Sequence, residues 1–135
     1  MIAIDSSVLI DVLAGDPHFA EASEACLSEA LGAGDVVVCD AVVAEMHTLL
    51  ANSEATMEGL SSLGIRYLAT SEQAAVRAGH MQRRFRDRGG RRERVVADFL
   101  IGAHAFLQCD ALVTRDAGFF REYFKGLKVI EPRRR

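Results

Sequence analysis

Short apolar runs alternate with longer helix-like segments along the whole chain, and this alternation constrains the fold more than any other feature. The runs are too short for helices and are rich in β-branched residues, which is typical of strands buried on both faces. They cover residues 1–4, 36–39, 65–68, 111–113 and 127–130. Strands alternating with helices predict an α/β domain with a central, mainly parallel sheet flanked by helices on both faces.

The segments between the strands have the boundaries expected of helices. Side chains suited to an N-cap precede several of them, namely Ser6 and Ser7, Asp16 with Pro17, Asp40, and Ser71. The first two helices should end near residues 13 and 31, and further helices are predicted over 53–63, 95–107 and 116–124. The helix after Ser71 should give way to an arginine-rich stretch over 83–94, in which Gly89 and Gly90 mark a loop.

The length of 135 residues and the 50% hydrophobic content fit one domain over 1–135, with residues 132–135 as a basic tail. No apolar run approaches the roughly 18 residues of a membrane span, and the first residues do not resemble a signal peptide. We therefore expect a cytoplasmic protein without a membrane partner. Cys26, Cys39 and Cys109 form no CxxC pair, so they are expected to be small buried apolar residues.

The formal net charge of −3 conceals a strong asymmetry between the two halves of the chain. Residues 1–72 hold twelve acidic side chains and one basic one, Arg66, whereas residues 73–135 hold fifteen basic and seven acidic side chains. Such asymmetry indicates contact with a nucleic acid or with an oppositely charged partner.

Four carboxylates occur where an α/β fold forms its sites or where a charge is out of place. Asp5 and Asp116 follow apolar runs, and sites of open α/β sheets lie beyond the carboxyl ends of the strands. Glu45 and Asp98 interrupt apolar helices, where a charge needs a partner, a proton or a metal. Taken singly, each acid also fits an ordinary role as a helix cap, an exposed helix residue or a partner of the helix dipole.

If one pocket gathers these acids, it needs a cation, because neighbouring carboxylates cannot all remain ionised without one. Oxygen ligands select Mg²⁺ or Mn²⁺ over zinc, and such a site suits attack of an activated water on a phosphodiester. No GxSxG motif or P-loop offers a rival chemistry. The four histidines are too widely spread for a zinc site: His18, His47, His80 and His104.

The chain resembles the PIN-domain ribonucleases, and among them the VapC-type toxins of bacterial toxin–antitoxin systems. The resemblance extends over residues 1–132 and depends on an ordered set of segments: Asp5-Ser6 after the first strand, Ala44-Glu45 in a helix, the run 94–105 around Asp98, and the segment 112–116 that ends in Thr114-Arg115-Asp116.

The resemblance implies a role for each matching residue. It assigns metal binding and catalysis to Asp5, Glu45, Asp98 and Asp116, with Ser6 and Thr114 as supporting hydroxyls. Gly118 stands where many relatives carry a further acid, so Asp116 alone supplies the fourth carboxylate. The family further implies a PIN fold, Mg²⁺- or Mn²⁺-dependent cleavage of RNA, a homodimer and inhibition by a VapB-type antitoxin.

A basic stretch beside an acidic metal site would hold RNA against carboxylates that repel it, because arginine forks bind phosphates. We therefore predict RNA contacts for seven arginines: Arg83, Arg84, Arg86, Arg88, Arg91, Arg92 and Arg94. A solvated helix end is the simpler interpretation of such a stretch. Residues 133–135 have the same two interpretations.

Two alternatives to a nuclease remain at this point. A catalytically weak PIN-like scaffold would use its acidic half to dock a basic partner. A response-regulator receiver domain also gathers acids at strand ends, but two serines follow Asp5 here, and Arg115 stands near the position where a receiver needs lysine.

Overall fold

The strands form one parallel sheet that accounts for the alternation in the sequence. The computed structural model describes residues 1–90 and 95–133. The strands are β1 (Ile2–Ile4), β2 (Val36–Val38), β3 (Arg66–Tyr67), β4 (Ala111–Val113) and β5 (Lys128–Ile130). Their order in the sheet is β3-β2-β1-β4-β5, and all four pairings are parallel. The predicted mainly parallel α/β fold is thus confirmed.

Seven helices connect and flank these strands in the described part of the chain. They are α1 (Ser6–Ala14), α2 (Ala20–Ala33), α3 (Asp40–Leu49), α4 (Ser53–Ser62), α5 (Glu72–Asp87), α6 (Val96–Gln108) and α7 (Ala117–Tyr123). Every residue of β1, β2 and β4 is buried. Since successive side chains of a strand point to opposite faces, both faces of the central sheet are covered. Within the described residues, no helix is both long and apolar enough to cross a membrane.

The chain reverses its direction of travel across the sheet between β1 and β4. From β1 it moves outward to β2 and β3, and it then returns to the other side of β1 to form β4 and β5. In open α/β sheets the crevice at such a reversal, beyond the carboxyl ends of the strands, is where ligands bind. The residues that directly follow β1 and β4 therefore lie at the favoured position for a site.

An aromatic cluster fills the space between α5, α6 and α7 beside this crevice. Phe99 lies at its centre, with its ring centroid 5.6 Å from Phe85, 5.2 Å from Phe119 and 6.0 Å from Tyr123. Gly102 lies one turn further along α6, where a Cβ atom would come within 2.2 Å of the ring of Phe124. The missing side chain lets this ring pack directly on the helix.

The second predicted helix begins later than Asp16 and Pro17, the residues that were predicted to start it. The Asp16 carboxylate accepts hydrogen bonds from the backbone N–H groups of His18 and Phe19, at 2.8 and 2.9 Å. It therefore stabilises a turn ahead of α2, which begins only at Ala20. The prediction that Asp16 caps this helix is wrong, because its side chain is engaged in the turn.

The predicted caps Ser6, Ser7 and Asp40 are also wrong, and in each case the side chain has another partner. Asp40 is the first residue of α3, and its carboxylate accepts hydrogen bonds from the backbone and the hydroxyl of Thr70. The two serines lie inside the first turn of α1, where their hydroxyls donate to carboxylates. Ser71 does cap α5, by accepting from the N–H of Ala74.

Candidate active site

Asp5 lies at the crevice between β1 and β4. Its backbone N–H donates to the carbonyl of Val113 at 2.9 Å, which holds the end of β1 against the end of β4. Although Asp5 occupies the N-cap position of α1, its side chain makes no capping hydrogen bond. The carboxylate points instead into a set of hydroxyl groups, so the ordinary capping role is not the one it fills.

Three hydroxyls surround the Asp5 carboxylate. Thr114 Oγ1 donates to Oδ2 at 2.7 Å, Ser7 Oγ donates to the same oxygen at 3.0 Å, and Ser6 Oγ lies 3.4 Å from Oδ1. Asp5 is only 6% exposed, and its burial raises the pKa of the carboxyl although these hydrogen bonds lower it. The site thus holds an oriented carboxylate whose charge is costly.

Ser6 connects Asp5 to Glu45, which comes from α3. Its hydroxyl donates to Glu45 Oε1 at 2.9 Å, so Glu45 is drawn inward instead of extending into solvent. Burial raises the pKa of Glu45, and the charges of Asp5 and Asp98 raise it further. Asp5 and Asp98 therefore both act electrostatically on Glu45.

Asp98 lies in the first turn of α6, and Asp116 is the N-cap residue of α7. The Asp98 carboxylate accepts the backbone N–H of Val95 at 3.2 Å, which is the ordinary helix-start role. The backbone N–H of Asp116 donates to Thr114 Oγ1 at 3.0 Å, so one hydroxyl is bonded to both Asp5 and the start of α7. Both acids are half-buried.

The donor set has the chemistry of a site for a hard divalent cation, since all of its donors are carboxylate and hydroxyl oxygens. Burial raises the pKa of Asp5 and of Glu45, and for Glu45 the neighbouring charges of Asp5 and Asp98 add to the effect of burial. Across residues 1–90 and 95–133, however, no three Asp, Glu, His or Cys side chains form a ready-made metal cluster. Ser6 Oγ connects the carboxylates of Asp5 and Glu45.

An ion pair that the sequence analysis missed lies directly behind this site. Asp11 in α1 is 2% exposed, and Arg115 contacts its carboxylate with Nε at 2.7 Å from Oδ2 and Nη2 at 2.9 Å from Oδ1. The guanidinium carbon lies 4.1 Å from the ring centroid of Phe19. Asp11 could have been found from the sequence, because it is a charged residue within the apolar stretch 8–13. The same argument singled out Asp98.

Four of the seven predicted RNA-binding arginines lie among the residues that the structure describes. Arg83, Arg84 and Arg86 lie on α5, which continues through Asp87 instead of ending before them, and Arg88 follows at its C-cap. All four are exposed. The other three, Arg91, Arg92 and Arg94, lie outside the described residues, as do Arg134 and Arg135 of the tail.

None of the three cysteines is a candidate nucleophile at this site. Cys26 and Cys39 are buried and Cys109 is half-buried, and all are free thiols. Burial raises the pKa of Cys109 to about 11, which keeps it protonated at neutral pH.

The comparison with known families agrees with the observed fold. The model of the PIN domain matches residues 2–125. No curated protein sequence matches the chain.

Solved structures show the same fold over nearly the full chain. FitAcB from Neisseria gonorrhoeae is 25% identical with a TM-score of 0.67, covering 98% of each chain. VapBC2 from Rickettsia felis, bound to a DNA fragment from its promoter, is 16% identical with a TM-score of 0.73, covering 97% of this chain and 98% of the other. VapBC-1 from nontypeable Haemophilus influenzae is 18% identical with a TM-score of 0.71, at the same coverage. With a family match that spans residues 2–125, the chain belongs to the PIN-domain family.

Proposed function

We propose that this protein is a Mg²⁺- or Mn²⁺-dependent endoribonuclease and the toxin of a VapBC-like toxin–antitoxin system, built as one PIN domain over residues 1–135. The observation that carries the proposal is the bonding of Asp5 to Thr114 and, through Ser6, to Glu45 at the crevice between β1 and β4. Carboxylates at this position of an α/β sheet suit a cation that acts on a phosphodiester.

Four acids are proposed to hold the cation: Asp5, Glu45, Asp98 and Asp116. A divalent cation at this position supplies Lewis-acid activation of water and offsets the charge of the attacked phosphate. The protein's own contribution is orientation. Thr114 and Ser7 fix one oxygen of Asp5, and Ser6 fixes Glu45, so that the acid before α1 and the acid of α3 keep one relative position.

The partners follow from the same family. VapBC complexes are among the solved structures of this fold, which supports a VapB-type antitoxin as the binding partner. RNA is the proposed substrate, because the exposed Arg84 of α5 and Arg88 at its C-cap would hold a polyanion near acids that repel it. A homodimer in the cytoplasm is the proposed working state.

Cleavage of a labelled RNA pool tests the proposal. We expect cleavage with Mg²⁺ or Mn²⁺ that stops with EDTA and falls at least about a hundredfold in Asp5→Asn and Asp98→Asn. Asp110→Asn is the matched control, because Asp110 precedes β4 at the opposite edge of the sheet and is 83% exposed. Cleavage that persists in EDTA or in both site variants would contradict the proposal.

A metal-independent scaffold is the second candidate, and the lack of a ready-made metal cluster in the described part of the chain favours it. Such a scaffold would capture a basic polypeptide through its acidic half. Calorimetric titration separates the two candidates. Binding of Mn²⁺ at millimolar concentration or below, weakened in Glu45→Gln, supports the nuclease, whereas capture of a basic peptide without any metal binding supports the scaffold.

A further inference from the structure

A basic groove lies between α5 and α7, apart from the acidic crevice. We call it the α5/α7 groove, and its volume is about 290 Å³. Among the described residues, its lining includes Arg77, Met81, Arg84, Arg88, Tyr123 and Lys125. Two of these cations, Arg77 and Lys125, lie outside the arginine-rich stretch of the sequence.

Helical geometry explains why only some arginines of α5 reach the groove. Positions 81, 84 and 88 come four, seven and eleven residues after position 77. This spacing places all four on one face of a helix with 3.6 residues per turn. Arg83 and Arg86 lie more than a quarter turn away from that face. They are equally charged and exposed, but they do not line the groove.

Among the described residues, four cationic side chains and the carboxylate-bearing Glu122 line the groove. Arg77 is held over the ring of Phe106, with its guanidinium carbon 5.4 Å from the ring centroid. Among the residues that the structure describes, Arg84, Arg88 and Lys125 form no ion pair. Several cations along one groove create a potential that attracts a polyanion.

The aromatic cluster connects the groove to the acidic crevice. Tyr123 lines the groove, and its ring centroid is 5.2 Å from Phe119 and 6.0 Å from Phe99. Phe99 directly follows Asp98, and Phe119 comes three residues after Asp116. Tyr123 therefore packs against the two rings that follow these helix starts.

We propose that the α5/α7 groove binds the phosphodiester backbone of the RNA strand whose scissile phosphate lies at the acidic crevice. Arg77, Arg84, Arg88 and Lys125 contact successive phosphates, and Tyr123 offers a ring edge beside them. This inference rests on the proposed function. It divides the basic stretch by function, because Arg84 and Arg88 bind the substrate whereas Arg83 and Arg86 remain in solvent.

Fluorescence anisotropy with a fluorescein-labelled oligouridine, measured in EDTA so that no cleavage occurs, tests the assignment. Arg84→Gln/Arg88→Gln should weaken binding at least about tenfold. It should also reduce the slope of log K against log[salt] by about 1.4, since each lost phosphate contact on a single strand contributes about 0.7. The matched control Arg83→Gln/Arg86→Gln removes the same charge from the same helix, and it should change affinity less than about threefold.

Glu122→Gln should raise the affinity for the oligouridine, so this test does not depend on a loss of binding. Its carboxylate lies in the groove and repels phosphates, so the variant should bind the oligouridine about two- to threefold more tightly. An unchanged affinity in this variant would contradict the assignment.

Equal losses in the two arginine double variants would overturn the inference, because the effect would then be one of net charge. An oligouridine affinity that is unchanged in Arg84→Gln/Arg88→Gln, with weakened binding of poly-glutamate, would also overturn it and assign the groove to an acidic protein segment. These binding experiments can fail while the proposed function holds, and the reverse is also possible. Metal-dependent cleavage with no role for the groove refutes only this inference, whereas groove-dependent binding without cleavage refutes only the nuclease.

Discussion

The guanidinium of Arg115 holds the buried carboxylate of Asp11 through two nitrogens, which ties α1 to the connection between β4 and α7. Ser23 Oγ donates to Asp11 Oδ2 at 2.7 Å and completes the pair. The backbone N–H of Arg115 donates to Ser7 Oγ, which itself donates to Asp5. One ion pair thereby stabilises the chain segment that carries Thr114 and Asp116.

Arg115→Met should lower the free energy of unfolding by about 3 kcal/mol, because it leaves the Asp11 carboxylate buried without its counter-charge. Urea denaturation measures the change. Arg121→Met is the matched control, since Arg121 pairs with Glu131 at 3.8 Å on the surface and its loss should cost at most about 0.5 kcal/mol. Equal losses in the two variants would show that the buried pair has no special role.

Asp5→Asn should raise the free energy of unfolding in EDTA by about 1 kcal/mol, although it removes a proposed metal ligand. Burial raises the pKa of Asp5, so the ionised carboxylate lowers the free energy of unfolding whenever the pH lies above that raised pKa. As the pH falls toward the ordinary value of 3.8, the carboxyl gains its proton in the wild type and the advantage of the variant should shrink. A variant that is less stable at pH 7.5 would contradict this account.

Stability should also depend on His104 below neutral pH. His104 is 1% exposed, and burial lowers its pKa, although Asp40 and a hydrogen bond to the backbone of Leu68 oppose the shift. The unfolded chain takes up a proton near the ordinary value of 6.5 while the folded state resists it, so acidification favours unfolding. The stability difference between wild type and His104→Leu should therefore fall by about 1 kcal/mol between pH 7.5 and 5.5. A difference that is constant with pH would refute this.

Replacing each of two helical glycines by alanine should change the free energy of unfolding in opposite directions. Gly102→Ala should cost about 2 kcal/mol, because the new methyl group would come within 2.2 Å of the Phe124 ring, which is 2% exposed. Gly79→Ala in α5 should stabilise the protein by about 0.5–1 kcal/mol, since nothing lies within 4 Å of its Cβ position. Thermal or urea unfolding of both variants measures the pair, and a stabilised Gly102→Ala variant would contradict the observed packing.

The sequence was sufficient to predict the sheet because most strands lie in short apolar runs set between helices, and only β3 (Arg66–Tyr67) is formed by two exposed residues. The run 111–113 coincides with β4, and the direction of the strands follows from the helices between them. Parallel strands end at a common edge, so Asp5 and Asp116 could be assigned to one region of the fold before any contact was known.

Contacts between distant helices could not be predicted in the same way. The bond from Ser6 to Glu45 joins residues 39 positions apart, and the pair of Asp11 and Arg115 joins residues 104 positions apart. Both depend on how α1 packs against other elements, which local patterns do not encode. The two faces of α5 could have been separated by helical periodicity, but only once the helix was known to continue through Asp87.

The Mg²⁺ dependence of single-turnover RNA cleavage tests the central claim most directly, because the claim is that Asp5, Glu45 and their neighbours hold the catalytic cation. In the wild type the rate should rise with Mg²⁺ and saturate. Glu45→Gln should shift the half-saturating Mg²⁺ concentration at least about tenfold upward, while Asp110→Asn leaves it unchanged. An unshifted curve in Glu45→Gln, or cleavage that needs no divalent cation, would contradict the account.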